Sequence, residues 1–160
     1  MAKAADVPGL TADLPFRDAA ARTVRVRADE LFAHADGVLD TEDIERVHDM
    51  RVATRRLRAV LEVYAACFPP KQHRQVLKEV KALADALGAR RDPDVQLEEL
   101  EQVRAQLAPE DAGGMDAFAA MVRGEQEQGN GVLAAALEDV FAADLHGRLH
   151  ELADAAEPLS

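Results

Sequence analysis

The side chains with the most chemistry to offer in this chain are cations. His48, Arg51, Arg55 and Arg58 recur at helical spacing, and at about 100° per residue they share an arc of roughly 80°. Lys71, Arg74, Lys78 and Lys81 repeat the arrangement, with Arg90 and Arg91 following in the chain. Guanidinium groups present forked donors and ammonium groups compact charges, and both suit phosphate oxygens. Like charges at i,i+4 repel by a few tenths of a kcal/mol per pair, so such a stripe gains from a counter-ion. A single basic helix is usually a solvated face neutralised by neighbouring acids. Two stripes on consecutive helices joined by Pro69-Pro70 instead suggest one shared anion-binding groove. About ten residues at 1.5 Å rise make it about 15 Å long, room for several phosphates of a linear polyanion.

The elements that must hold these stripes are helices. The chain has 160 residues, the size of one compact domain, and 48% are apolar. Only five Phe and one Tyr are aromatic, there is no Trp, and Ala occurs 32 times, a balance that favours helices over a β-sandwich. Proline and glycine punctuation predicts a first helix from about Pro15 to Gly37 and a second from Asp40-Thr41 to Phe68. A third is predicted over Lys71–Leu87, ended by Gly88, and a fourth from Asp92-Pro93 to Pro109. From Met115 to Glu157 the pattern is helical again, with Gly129-Asn130-Gly131 leaving open whether there is one helix or two. The expectation is an all-α fold, an antiparallel up-and-down helical bundle of about five or six helices. It is read as a single domain over 1–160 whose first 10–14 residues are flexible. Met50, Ala53, Leu57, Leu61, Tyr64 and Phe68 form the apolar face of the second helix, and Val76, Leu77, Val80, Leu83 and Leu87 that of the third.

Nineteen basic and thirty acidic residues give a formal charge of −11, which argues against a general nucleic-acid binder. The average conceals a division. Residues 46–91 hold eleven Lys/Arg and four Asp/Glu, a net of +7, and the remainder carries −18. The lone Cys67 cannot form an intrachain disulfide, and neither an apolar leader nor a run of about eighteen apolar residues occurs, which reads as a cytoplasmic protein without a membrane segment.

The cationic residues also carry a resemblance. His48-Asp49-Met50-Arg51-Val52-Ala53-Thr54-Arg55-Arg56-Leu57-Arg58 resembles the H-x-x-R-V-x-x-R-R-L-R signature of CHAD domains, the conserved-histidine α-helical domains. Leu77-Lys78, followed by Leu87-Gly88-Ala89-Arg90-Arg91-Asp92-Pro93-Asp94-Val95, is similar to that family's second block. The resemblance is strongest over residues 42–97. It implies a helical bundle that binds inorganic polyphosphate in a basic channel, often at intracellular polyphosphate granules, with no catalysis by the domain and no cofactor. By position it implies His48, Arg51, Arg55, Arg56, Arg58, Lys78 and Arg91 as polyphosphate ligands. Arg74 and Lys81 join on helical spacing, and Arg90 as an extension of the charge; Arg56 lies about 80° off the arc and could face a neighbouring helix. CHAD domains usually hold two helical repeats, and no second H-x-x-R block is present here. A half-length form would complete its groove by dimerising, or half of the usual site is missing.

Other constellations carry less. His146 and His150 have the i,i+4 spacing of a helical metal pair, but Gly-Arg-Leu between them lacks the glutamate of H-E-x-x-H, so they read as a surface pair and no metal is assigned. His34 and His73 read as surface or interface histidines, Cys67 as a small buried hydrophobe, and Glu98, Glu99 and Glu101 as a solvated face. No phosphate loop of the GxxxxGK type and no Glu-x-Glu-x-Lys triplet occurs, and the aromatics do not interleave with the basic stripes as RNA stacking would require. The sequence therefore points to non-enzymatic polyphosphate binding. The alternative is an adaptor whose basic groove pairs with an acidic partner or with a second copy as a homodimer.

Overall fold

A computed structural model describes residues 2–160. Five α-helices account for most of them: α1 (Phe16–Ala33), α2 (Ile44–Val63), α3 (Pro70–Arg104), α4 (Ala112–Ala142) and α5 (Leu145–Asp154). Short 3₁₀ turns at Ala65–Cys67 and Pro109–Asp111 link α2 to α3 and α3 to α4. No strand occurs among the described residues. α1 packs on α2 and α5, and α3 packs on α2, α5 and, most extensively, α4. The apolar stripes meet inside this frame: Val24 and Leu31 of α1, Met50, Leu57 and Leu61 of α2, Val80, Leu83 and Leu87 of α3, Leu133 of α4, and Leu145, Leu149 and Leu152 of α5 are all buried. The predicted core faces of the second and third helices match this core, with Tyr64 and Leu77 at its margin.

α3 corrects the sequence reading. The predicted third and fourth helices are one 35-residue helix that runs through Gly88 and Pro93. Its length is about 52 Å, against about 30 Å for the 20 residues of α2, so the α3–α4 hairpin outruns the rest of the bundle. Pro93 has no N–H to give the Ala89 carbonyl, an interior defect that ordinarily costs about 3 kcal/mol. Here it is buried against α4, where Gly129 meets the same turn. A Cβ on Gly129 would stand 2.5 Å from the Ala89 carbonyl oxygen and 3.1 Å from the Arg90 Cα, so glycine is what lets the two backbones close.

Gly129-Asn130-Gly131 is accordingly a packing site within an unbroken α4. The division left open over 115–157 falls at Ala143-Asp144, where Asp144 takes the left-handed conformation (φ 48°) and its carboxylate accepts the Gly147 N–H at 3.2 Å, capping α5.

Residues 2–7 have no regular structure but lie across α1 and α2. The Ala2 N–H donates to Asp49 at 2.7 Å and the Ala5 N–H to Glu30 at 3.0 Å. Arg27 and Arg56 donate back to the carbonyls of Ala5 and Ala2.

Candidate anion-binding groove

Arg51, Arg55 and Arg58 project from the exposed face of α2 and, with Val52 below them and Ala84 and Asp85 of α3 opposite, line a cleft of about 220 Å³. The cleft is walled by the α2 stripe; α3 contributes Ala84 and Asp85 to it, and none of that helix's cations lines it. Lys81 reaches across it to Glu62 of α2 at 3.6 Å. In an antiparallel pair that register brings Arg91, ten residues further along α3, to the level of Arg51. Arg74 and Lys78 continue the exposed stripe of α3 toward its start. Among the described residues Arg51, Arg55, Arg74, Lys78 and Arg91 have no carboxylate within 4.0 Å, and the half-buried Arg91 keeps one guanidinium nitrogen without a hydrogen-bond partner.

Two acids interrupt the positive field. Glu62 accepts a hydrogen bond from Arg58 Nε at 3.1 Å and faces Lys81. That hydrogen bond, with the charges of Arg58 and Lys81, holds its carboxyl below the usual glutamate range. Asp85 lines the cleft itself. Neither was singled out in the sequence, although Glu62 stands four residues after Arg58, a spacing that announces a helical ion pair.

Two of the ten cationic candidates face elsewhere. Arg90 is fully buried and ion-paired with Asp94; its Nε donates to Asn130 at 3.2 Å and its Nη2 to the Asp40 carbonyl at 3.4 Å. Gln126 donates to the other Asp94 oxygen at 2.6 Å, closing a network between α3, α4 and the loop before α2. Arg90 is therefore a structural cation, because a 100° step carries it away from Arg91 and into the bundle.

Arg56 turns to α1, 3.2 Å from Glu30, which Arg27 also pairs at 2.6 Å. Burial pushes the Glu30 carboxyl up, but the hydrogen bonds from Arg27 and Ala5 and the charges of Arg27 and Arg56 outweigh it and hold the group below its ordinary value. His48 stands half-exposed at the other end of the α2 stripe, with Glu45 and Asp49 beside it.

The remaining candidates from the sequence are also placed. His73 is buried, not a surface residue. Its Nε2 lies 2.7 Å from the Leu61 carbonyl, which can only accept, so that nitrogen carries the proton. Cys67 is buried, and burial pushes its thiol up, away from the reactive thiolate. Glu98, Glu99 and Glu101 are exposed on α3.

The profile of the CHAD domain matches residues 22–160, all five helices but for the first turns of α1. The chain belongs to the CHAD domain family. The match extends well beyond the blocks at 42–97 that carry the resemblance in the sequence. This CHAD chain is similar to the uncharacterized protein Rv2226 of Mycobacterium tuberculosis strain H37Rv, 32% identical over 96 residues, which are 60% of this chain and 18% of that protein. Uncharacterized protein MT2285 of strain CDC 1551 is 31% identical over the same shares. This chain thus spans less than a fifth of the length of the curated relatives it matches. No helix among the described residues is long and apolar enough to cross a membrane.

Proposed function

We propose that this CHAD domain binds linear inorganic polyphosphate in the groove between α2 and α3, without catalysing a reaction on it. The observation that carries the reading is the cleft whose wall is Arg51, Arg55 and Arg58, two of them unpaired, with Ala84 and Asp85 of α3 opposite and Lys81 of α3 reaching α2 at Glu62. Arg74, Lys78, Lys81 and Arg91 extend it into a track, and His48 marks its far end. Arg91, half-buried and without a carboxylate partner, keeps its charge uncompensated beside the track. A track of cations with two interposed acids is suited to a flexible chain of phosphates that can thread between them, more than to a rigid duplex that meets the acidic body. A place at cytoplasmic polyphosphate granules follows from this reading.

The test is a titration of the chain at low salt with long-chain polyphosphate, orthophosphate and duplex DNA. Saturable binding of polyphosphate with much weaker binding of the other two supports the reading; equal affinity for all three, or none for polyphosphate, removes it.

A second reading, in which the groove pairs with the acidic end of another copy, is favoured by the far end of the α3–α4 hairpin. There Val103, Phe118 and Met121 are 49%, 45% and 55% exposed among Glu101, Glu110, Asp111 and Asp116. Light scattering with and without polyphosphate separates the two: a dimer that dissociates as polyphosphate is added supports self-pairing, and a monomer throughout removes it.

A further inference from the structure

The His146–His150 pair acquires a third member that its own helix does not supply. Both Nε2 atoms lie 2.7 Å from a single oxygen of Asp29, on the neighbouring α1. One candidate ligand atom from each of the three residues lies within 4.8 Å of the other two. All three side chains are solvent-accessible, at 41%, 35% and 59% exposure for His146, His150 and Asp29.

The rings are held from behind. The His146 imidazole stacks on Phe32 of α1, centroids 4.5 Å apart and planes 10° from parallel, and packs edgewise against His150 at 5.3 Å. Leu145, Leu149 and Leu152 anchor α5 in the core, which fixes the His face of the helix beside α1. The ion pair of Arg25 with Asp154 ties the same two helices one turn away.

We propose that Asp29, His146 and His150 form a binding site for a divalent late first-row transition ion, Zn²⁺ first among them, open to solvent on its remaining positions. Two imidazole nitrogens and one carboxylate oxygen are the donor set that such ions prefer, whereas Mg²⁺ and Ca²⁺ require oxygen. Tetrahedral bonds of about 2.0–2.1 Å place ligand atoms about 3.3 Å apart, so each N···O separation has to open by only about 0.6 Å to admit the ion. Exposed side chains at a helix surface can make that adjustment without moving the backbone. The ion would pin α5 to α1. It would stand apart from the groove, whose cations lie on α2 and α3.

The untagged chain is titrated with ZnCl₂ by calorimetry and with CoCl₂ by visible absorption, beside Asp29→Asn, His150→Gln and, as a control on the Glu45, His48 and Asp49 cluster, His48→Gln. The expected result is one ion per chain, Co²⁺ absorption in the visible, affinity at least about tenfold weaker in Asp29→Asn and His150→Gln, and no change in His48→Gln. Zn²⁺ is also expected to raise the Tm of the parent chain and not that of His150→Gln. Circular dichroism checks that the variants keep their helicity, with His146→Gln replacing any that does not. Absence of a one-to-one complex, or equal affinity in the parent and in both site variants, overturns the proposal, as does loss of binding in His48→Gln alone.

Discussion

Arg55 and Arg56 are neighbours in the chain and serve different ends. Arg55 faces the cleft without a carboxylate partner, while Arg56 is held by Glu30 on the opposite side of α2. Arg90 and Arg91 divide in the same way, one fully buried and ion-paired with Asp94, the other half-buried and without a carboxylate partner. The 80° arc made Arg51, Arg55 and Arg58 legible from spacing alone, and it already set Arg56 aside. Asp94, four residues on, announces an ion pair for Arg90 but not its burial, which depends on Asn130 and Asp40, 40 and 50 residues away.

The same geometry sets expectations for polyphosphate affinity. Arg56→Ala is expected to leave it within about twofold, since its charge is already compensated by Glu30 and lies outside the groove. Glu62→Gln is expected to raise it several-fold, by freeing Arg58 and Lys81 to face the ligand. Isothermal titration of both variants beside the parent measures the two effects. Because Glu62 is held below the usual glutamate range, mild acid does not reproduce the effect of Glu62→Gln.

At the scale of elements, helices were legible where local signals and packing agree, and illegible where packing overrides them. α1 and α2 begin close to their predicted starts, and Pro69-Pro70 marks the turn between α2 and α3. Gly88 and Asp92-Pro93 look like a stop and a start, yet α3 passes through both. The long-range burial of Arg90, Pro93 and Asp94 against Gln126 and Gly129 stabilises the continuous form. Gly129→Ala forces a methyl onto backbone that cannot yield and is expected to destabilise the fold by about 1–3 kcal/mol. Gly131→Ala, with nothing within 4 Å of its new methyl, is expected to gain up to about 1 kcal/mol from helix propensity. Chemical denaturation of the pair reads both signs.

α1, α2 and the N-terminal segment meet at Glu30. Its carboxyl is held below the ordinary value in the folded chain, so its contribution is fully present at neutral pH and is lost as pH falls through that lowered value. Between pH 6 and 3, Glu30→Gln is expected to show a shallower fall of Tm than the parent.

Over the whole molecule the charge is partitioned by depth and position. The formal −11 of the chain resolves into a cationic face on α2 and α3 and an acidic remainder, and the structure removes Arg90 and Arg56 from that face into internal ion pairs. The fold class was legible because alanine-rich, aromatic-poor composition and helical spacing agree over the full length. The outrunning α3–α4 hairpin was not, because its end is exposed and its length depends on the buried network at Arg90 and Asp94. The central claim is that unpaired cations of α2 and α3 hold a linear polyanion, and counterion release makes it measurable. With the affinity of long-chain polyphosphate plotted against salt on logarithmic axes, each phosphate neutralised contributes about 0.7 to the slope, as for a single-stranded polyanion. The parent chain is expected to fall steeply, and Arg51→Ala with Arg55→Ala to lose on the order of tenfold in affinity and about 1.4 in slope while keeping its helicity. A parent affinity that is independent of salt, or a slope unchanged by removing both arginines, would contradict the account.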